Sequence, residues 1–286
     1  LPRGMHQKLA DCCRKQGVEF LSTAFEGGSL AFLIENLNLA RLKIPSGEIT
    51  NGPFLHAHAL TGKDIILSTG MATLAEVGDA LAVLAQGYLY PSEPVLSIEV
   101  CRHTFGLPEA QNILRQKVTI LHCTSQYPAP PEGVNLRAMQ TLAEHFSLPV
   151  GYSDHTVGHV AAIGATCFGA AIIEKHFTLD RAMEGPDHKA SVTPVELKDY
   201  IAKIRETELM LGVGNKAMQS CEAEVRAVIR KSIVARHAIA IGEKFTPENT
   251  GIKRPAGGQS PMGYFQLLQQ KSTRGYAAGD LIIEEV

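Results

Sequence analysis

The sequence predicts an α/β fold built on a parallel sheet and followed by a small second domain, and two observations predict it. Over roughly the first two hundred residues, short apolar β-branched runs alternate with helix-like stretches. After Gly214 that alternation stops, and short β-like runs punctuated by Gly and Pro take its place.

The elements follow in order. A helical stretch, Met5 to Gln16, leads to the first apolar run, Val18 to Ser22 (VEFLS). Five more follow: Ala40 to Ile44 (ARLKI), Asp64 to Ser68 (DIILS), Val118 to Cys123 (VTILHC), Leu148 to Tyr152 (LPVGY) and Ala171 to His176 (AIIEKH). Each is short and nearly continuous in apolar character, as a strand covered on both faces must be, so six parallel strands are expected. Thr73 and Glu76 form a capping-box pattern ahead of Leu74, Val77, Leu81 and Leu84, which share one helical face, and Gly87 is expected to close that helix. Tyr88 to Lys117 is too long for a plain loop and reads as an insertion with its own short helices. Thr193, Pro194 and Glu196 start a helix carrying Leu197, Ile201, Ile204 and Leu211 before Gly212. Ser220 to Glu224 reads as polar linker. The expected division is a large domain over 1–214, a linker over 215–225, and a small domain over 226–286 whose β-like runs are SIVA, AIAIGEKF and LIIEEV.

Composition narrows the function classes. With 286 residues, 45% hydrophobic and 20% charged, the chain can bury a sizeable core. A formal charge of -2 spread over interspersed acids and bases leaves no electrostatic footprint for nucleic acid or an anionic membrane. No apolar run reaches membrane-spanning length and no signal-peptide pattern opens the chain, so a cytoplasmic location is expected. Six cysteines without CxxC spacing read as reduced thiols, mostly core fillers.

In a parallel α/β barrel the chemistry sits at the C-terminal ends of the strands. Here those ends read Ser22-Thr23, Lys43 with Pro45-Ser46-Gly47-Glu48, Ser68-Thr69-Gly70-Met71, Thr124-Ser125-Gln126-Tyr127, Ser153-Asp154-His155-Thr156 and Glu174-Lys175-His176. Hydroxyls, backbone N–H groups and lysine converging at one mouth make a phosphate or carboxylate cradle, which points to an anionic substrate. His155 and His176 end consecutive strands and could share a divalent metal; on spacing alone, two hydrogen-bonded polar residues at a barrel mouth are an equal alternative. Glu48 reads either as an acid/base group or as a surface acid. The loop Met183 to Lys189 (MEGPDHK) places Glu, Asp, His and Lys on a Gly-Pro turn and suits a substrate loop. His56, His58, His103, His145 and His237 read as surface or satisfied core residues. Gly257-Gly258 lacks the strand and helix context of a nucleotide loop.

The strings KIPSGEITN, IILSTGMATL, LHCTSQYPAPPEGVNLRAM, PVGYSDHTVG and IIEKHFTLDRAMEGPDHKAS, with RKSIVA and KRPAGGQSPM in the small domain, resemble the N-acetylneuraminate (sialic acid) synthase family, which includes the legionaminic and pseudaminic acid synthases. The MEGPDH loop fits the sialic and legionaminic members better. The resemblance implies a TIM-type (β/α) barrel with a C-terminal antifreeze-like (SAF) domain. The implied reaction condenses phosphoenolpyruvate with an N-acetylmannosamine-like sugar and water, and releases phosphate. His155 and His176 would hold the metal, Mn²⁺ or else Mg²⁺, and with Glu48 and Asp187 would form the catalytic set. Thr23, Lys43, Ser46, Ser125 and Ser153 would bind phosphoenolpyruvate. Glu48, Tyr127 and Asp187 would contact the sugar, and Arg254 would reach a partner's site in a domain-swapped homodimer.

Two departures accompany the resemblance. The family's first two strands carry a Glu in an AE(I/A)G-x-NH-type motif and a Lys in a VKFQ-type motif; neither occurs in this sequence, so a partial copy of a longer chain with six of eight strands is expected. Gly-Gly-Gln stands where Gly-x-Gly-Ile is usual before SPM. Two other functions remain to be weighed: a non-catalytic sugar- or phosphate-binding homologue, and a barrel aldolase using Lys43 or Lys175 as a Schiff base.

Overall fold

A computed structural model describes residues 2–95 and 97–284. The chain divides into two compact units, Leu1–Gly212 and Val213–Val286. The first opens with α1 (Arg3–Gln16), ended by Gly17 in the left-handed region, and α2 (Gly27–Glu35), whose first turn is capped by the Glu26 carboxylate. From there strands and helices alternate: β1 (Arg41–Ile44), α3 (Gly52–Leu60), β2 (Asp64–Ser68), α4 (Leu74–Leu89), α5 (Ile98–Phe105), α6 (Pro108–Lys117), β3 (Val118–Cys123), α7 (Ala138–Phe146), β4 (Val150–Asp154), α8 (Val160–Cys167), β5 (Ile173–Lys175) and α9 (Pro194–Leu211).

All four strand pairs are parallel, and the spatial order β1-β2-β3-β4-β5 is the chain order. The sheet is curled into a half-barrel, and a single ion pair shows how far. Lys43 on the first strand and Glu174 on the last are 3.5 Å apart across the mouth, a separation a flat sheet of that width could not allow.

The expected six strands become five. Val18 to Ser22 forms no strand; the segment touches the sheet through one parallel bridge, Thr23 to Lys43, because it presents a mostly exposed run where a both-faces-buried strand is needed. β2 and β3 begin and end where the apolar runs do, and β4 is buried along its whole length.

The main core lies between the sheet and α3, α4, α6 and α7, with Leu67, Leu81, Leu84, Leu114 and Ile120 fully buried. Side chains of this size contribute about 2 kcal/mol each on burial. A smaller cluster, Leu30, Leu33, Leu42 and Phe54, seats α2 against β1 and α3. The Thr73–Glu76 box forms as expected, with Thr73 N–H and hydroxyl donating to the Glu76 carboxylate at 2.7 and 2.8 Å. Thr193 and Glu196 repeat it at α9. Gly87 does not close α4. It lies inside the helix, where a Cβ would stand 2.6 Å from the Ala59 Cβ, so its role is close approach between α3 and α4. The 88–117 stretch carries α5 and α6 on the sheet's outer layer, fixed to α4 by the Arg102–Asp79 pair.

The second unit opens with α10 (Ala223–Ile229), so a helix stands across the end of the expected linker. β6 (Ser232–Ala235) pairs antiparallel with β7 (Thr250–Lys253), and α11 (Tyr264–Leu267) follows. Ile233, Ile239, Phe245, Leu267 and Ile282 form this unit's own core. The run LIIEEV contributes a bridge at Leu281, and its last two residues lie outside the described residues. Among the described residues no helix is long and apolar enough to cross a membrane.

The cysteines are all free, but they are not mostly core fillers. Cys101 and Cys123 are buried, Cys13 is half-buried, and Cys12, Cys167 and Cys221 are exposed. Cys12 lies on the exposed face of α1 and Cys167 is the last residue of α8.

Candidate active site

At the C-terminal mouth of the half-barrel is a cavity of about 470 Å³. Eight of the eleven residues singled out in the sequence line it: Thr23, Lys43, Ser46, Ser125, Tyr127, Ser153, His155 and His176. Strand alternation brings Lys43 and Ser153 there, because every second residue points into the mouth, and the others stand on the segments at the strand ends. Ser153 and His155 face inward from the end of β4, and Glu174 and His176 from the end of β5.

The lysine is the electrostatic centre. The Lys43 ammonium donates to Ser68 Oγ at 2.8 Å and pairs with Glu174, whose other oxygen accepts the Ser153 hydroxyl at 2.6 Å. This chain joins the first strand, the second, the last and the fourth, and leaves a cation flanked by hydroxyls at the mouth. Beside it, the Gly70 N–H donates to Ser46 Oγ at 2.9 Å. A Cβ on Gly70 would strike Ser125 Oγ and come within 2.9 Å of both Cys123 Sγ and Ser46 Oγ. A side chain at this position would displace the three polar side chains that close around it. The next residue, Met71, holds a positive φ of 67° while three-quarters exposed, a strained conformation of the kind that clusters at functional sites.

The two histidines face each other with ring centroids 5.3 Å apart, and Tyr127 packs on both, at 4.2 Å from His155 and 5.4 Å from His176. His155 Nδ1 lies 2.7 Å from the Thr124 carbonyl. A carbonyl only accepts, so Nδ1 carries the proton and Nε2 keeps its lone pair, 3.3 Å from Ser153 Oγ. Burial pushes the His155 pKa down, which favours the neutral ring. Burial pushes the Tyr127 phenol up, so it stays a hydrogen-bond donor.

Three of the eleven lie elsewhere. Glu48 ends a short 3-10 turn and accepts from Asn51 at 2.7 Å, outside the cavity lining. Asp187 approaches His176 Nδ1 at 3.9 Å, too far for a hydrogen bond. Arg254 is exposed in the second unit. The expected substrate loop is folded back on itself by Thr178 with His188, and by Arg181 reaching the Ser191 carbonyl and Glu196.

The cavity also holds residues that the candidate set omitted: Ser68, Cys123, Glu174 and Lys175. Ser68 and Glu174 were already visible at strand ends, and the two-residue alternation would have picked them out. Cys123 gave no such signal, since a thiol at the end of an apolar run reads as core.

A family model described as the NeuB family matches residues 1–216. The chain belongs to the NeuB family. Among curated proteins, this NeuB-family chain is 44% identical over 279 residues to the N,N'-diacetyllegionaminic acid synthase of Campylobacter jejuni, covering 98% of the chain and 76% of that protein. It is 39% identical to the Legionella pneumophila enzyme of the same name, over 98% of the chain and 72% of that protein. Among solved structures, it resembles the N-acetylneuraminic acid synthetase of Leptospira borgpetersenii with TM-score 0.65 and 30% identity, over 79% of the chain and 69% of the other.

Proposed function

We propose that the mouth cavity condenses phosphoenolpyruvate with an open-chain N-acetylmannosamine-like sugar and water to give a nonulosonic acid, sialic or legionaminic, and phosphate. The observation that carries this reading is the Lys43 ammonium set among the hydroxyls of Ser46, Ser68, Ser125 and Ser153. A phosphate or carboxylate there replaces water with one charged and several neutral donors. The balance of the reaction follows: the C3 carbon of phosphoenolpyruvate bonds to the sugar aldehyde carbon as its C=O becomes a hydroxyl, water adds at C2, and the C2–O bond to phosphate breaks to leave a C2 ketone, the two protons of water going to the new hydroxyl and to phosphate.

Lys43 and the hydroxyls hold the anion, and Glu174 fixes the direction of Lys43 and of the Ser153 hydroxyl. Tyr127 offers a neutral phenol to a sugar hydroxyl. Glu48 and Asp187 belong to the sugar side by resemblance, with Asp187 next to His176. A divalent metal, Mn²⁺ or Mg²⁺, fits His155 and His176, because the His155 ring is held neutral with its Nε2 lone pair available. Among the described residues no group of three His, Cys, Asp or Glu completes such a site, which leaves the other positions to substrate and water. When bound, the metal supplies Lewis acidity toward the sugar aldehyde. The second unit is assigned as the antifreeze-like domain of a domain-swapped homodimer, with Arg254 reaching the partner's sugar. A cytoplasmic location belongs to the same reading.

Phosphate release from phosphoenolpyruvate, N-acetylmannosamine or its 2,4-diacetamido analogue, and Mn²⁺ tests the proposal. Turnover with at least one sugar, abolished by His176→Ala and by chelation, is expected. Tight phosphoenolpyruvate binding without release for any mannose-type sugar would instead mark a non-catalytic binding homologue. Schiff-base chemistry is disfavoured by the pairing of both lysines: Lys43 with Glu174 and Lys175 with Asp154.

A further inference from the structure

Behind the two histidines lies a second pair that the reaction does not use. Asp154 and Lys175 are partners in register at the last rung of β4 and β5, and each immediately precedes one histidine in the chain. Alternation puts the histidines toward the mouth and turns Asp154 away from it, while Lys175 lies at the edge of the cavity lining. Asp154 is fully buried and the Lys175 side chain is 4% exposed, with 3.2 Å between ammonium and carboxylate. The same carboxylate accepts the Thr156 N–H at 2.8 Å, the Thr156 hydroxyl at 2.7 Å and the Tyr200 phenol of α9 at 2.8 Å. Lys175 in turn donates to the Thr156 carbonyl.

The geometry has a direct bearing on His155. Its backbone is the centre of the turn that Asp154 closes onto Thr156, and Lys175 ties that turn to β5 one residue before His176. An ion pair taken this far out of water gains little net stability, since desolvation offsets the attraction. Its effect here is to fix where two strand ends stand relative to each other. We propose that Asp154, Lys175 and Tyr200 are positioning residues that set the separation and orientation of the His155 and His176 imidazoles for metal binding. The metal part rests on the function proposed above.

The test compares the 286-residue chain with its Asp154→Asn and Tyr200→Phe variants; the second removes one oxygen and keeps the fold testable if the first does not fold. Free Mn²⁺ measured by electron paramagnetic resonance gives metal affinity without turnover, and ¹H–¹⁵N spectra of the imidazoles give the protected Nδ1–H that His155 donates to Thr124. The expected result in folded variants is Mn²⁺ affinity weakened by about ten-fold or more, together with a shifted or lost His155 signal. Phosphoenolpyruvate affinity should change less than Mn²⁺ affinity, because Lys43, Ser46, Ser68 and Ser125 sit on other strand ends and only Ser153 shares β4 with Asp154. Wild-type Mn²⁺ affinity and an unmoved His155 signal in both variants would overturn the proposal. If the unaltered chain binds no Mn²⁺, the metal reading fails by itself, and the imidazole spectra alone decide the positioning role.

Discussion

Gly70 is a single residue on which the cradle depends. Its missing Cβ lets the Ser46, Ser125 and Cys123 side chains converge, and its N–H donates to Ser46. Gly70→Ala should raise the KM for phosphoenolpyruvate by about ten-fold or more while circular dichroism stays native, since the intrusion is into the site and forces hydroxyls apart. Lys43→Met removes the cation and its charged hydrogen bonds, which are worth about 2 to 3 kcal/mol; an affinity loss of roughly 30- to 150-fold by calorimetry is expected. Residue identity was the part of the site most legible in the sequence. Hydroxyls and Lys43 at strand ends read as an anion cradle and do gather round one cavity, but nothing in one dimension could show that Lys43 meets Glu174, a residue four strands away. Nor could it separate Asp187, which stands 3.9 Å from His176, from Glu48, which turns to Asn51.

At the scale of elements, two apolar runs were read to the residue, while β4 lies two residues further along than the run LPVGY. DIILS and VTILHC are strands from first residue to last. The misreadings share a cause, which is that tertiary partners decide them. VEFLS has strand composition but little burial and only one bridge to its neighbour. Gly87 looks like a helix stop and is a contact point, because the face it presents meets Ala59. Gly87→Ala should therefore destabilise by about 1 to 3 kcal/mol in denaturant titration, against the stabilisation an exposed helical glycine would show. Thr73→Ala, which removes the α4 cap, should cost about 1 kcal/mol and leave the KM values unchanged.

For the whole molecule, the proposed homodimer makes a quantitative prediction. If Arg254 serves the partner's site, a subunit carrying His176→Ala keeps its own Arg254 available, and a subunit carrying Arg254→Ala keeps an intact histidine pair. Refolding the two inactive chains together in equal amounts should restore about a quarter of wild-type turnover, from one competent site in half of the dimers. No recovery would mean that Arg254 acts within its own chain or not at all. Sequence pattern showed the change of architecture after Gly214, which the structure divides at Gly212 and Val213. It missed α10 and β7, short elements of the second unit: β7 begins buried and ends exposed, and α10 carries no periodicity long enough to register.

The strand order has a bearing on how such a site can change. Because β1 to β5 lie side by side in the order they are synthesised, position along the chain is also angle around the mouth. Lys43, Ser68, Cys123, Ser153 and Glu174 occupy successive seats, one from each strand. Each β/α unit is thus a cassette that delivers one arc of the pocket, and the helices between β2 and β3, α5 and α6, supply none of these seats. Substrate range in this architecture can be retuned by exchanging one arc at a time.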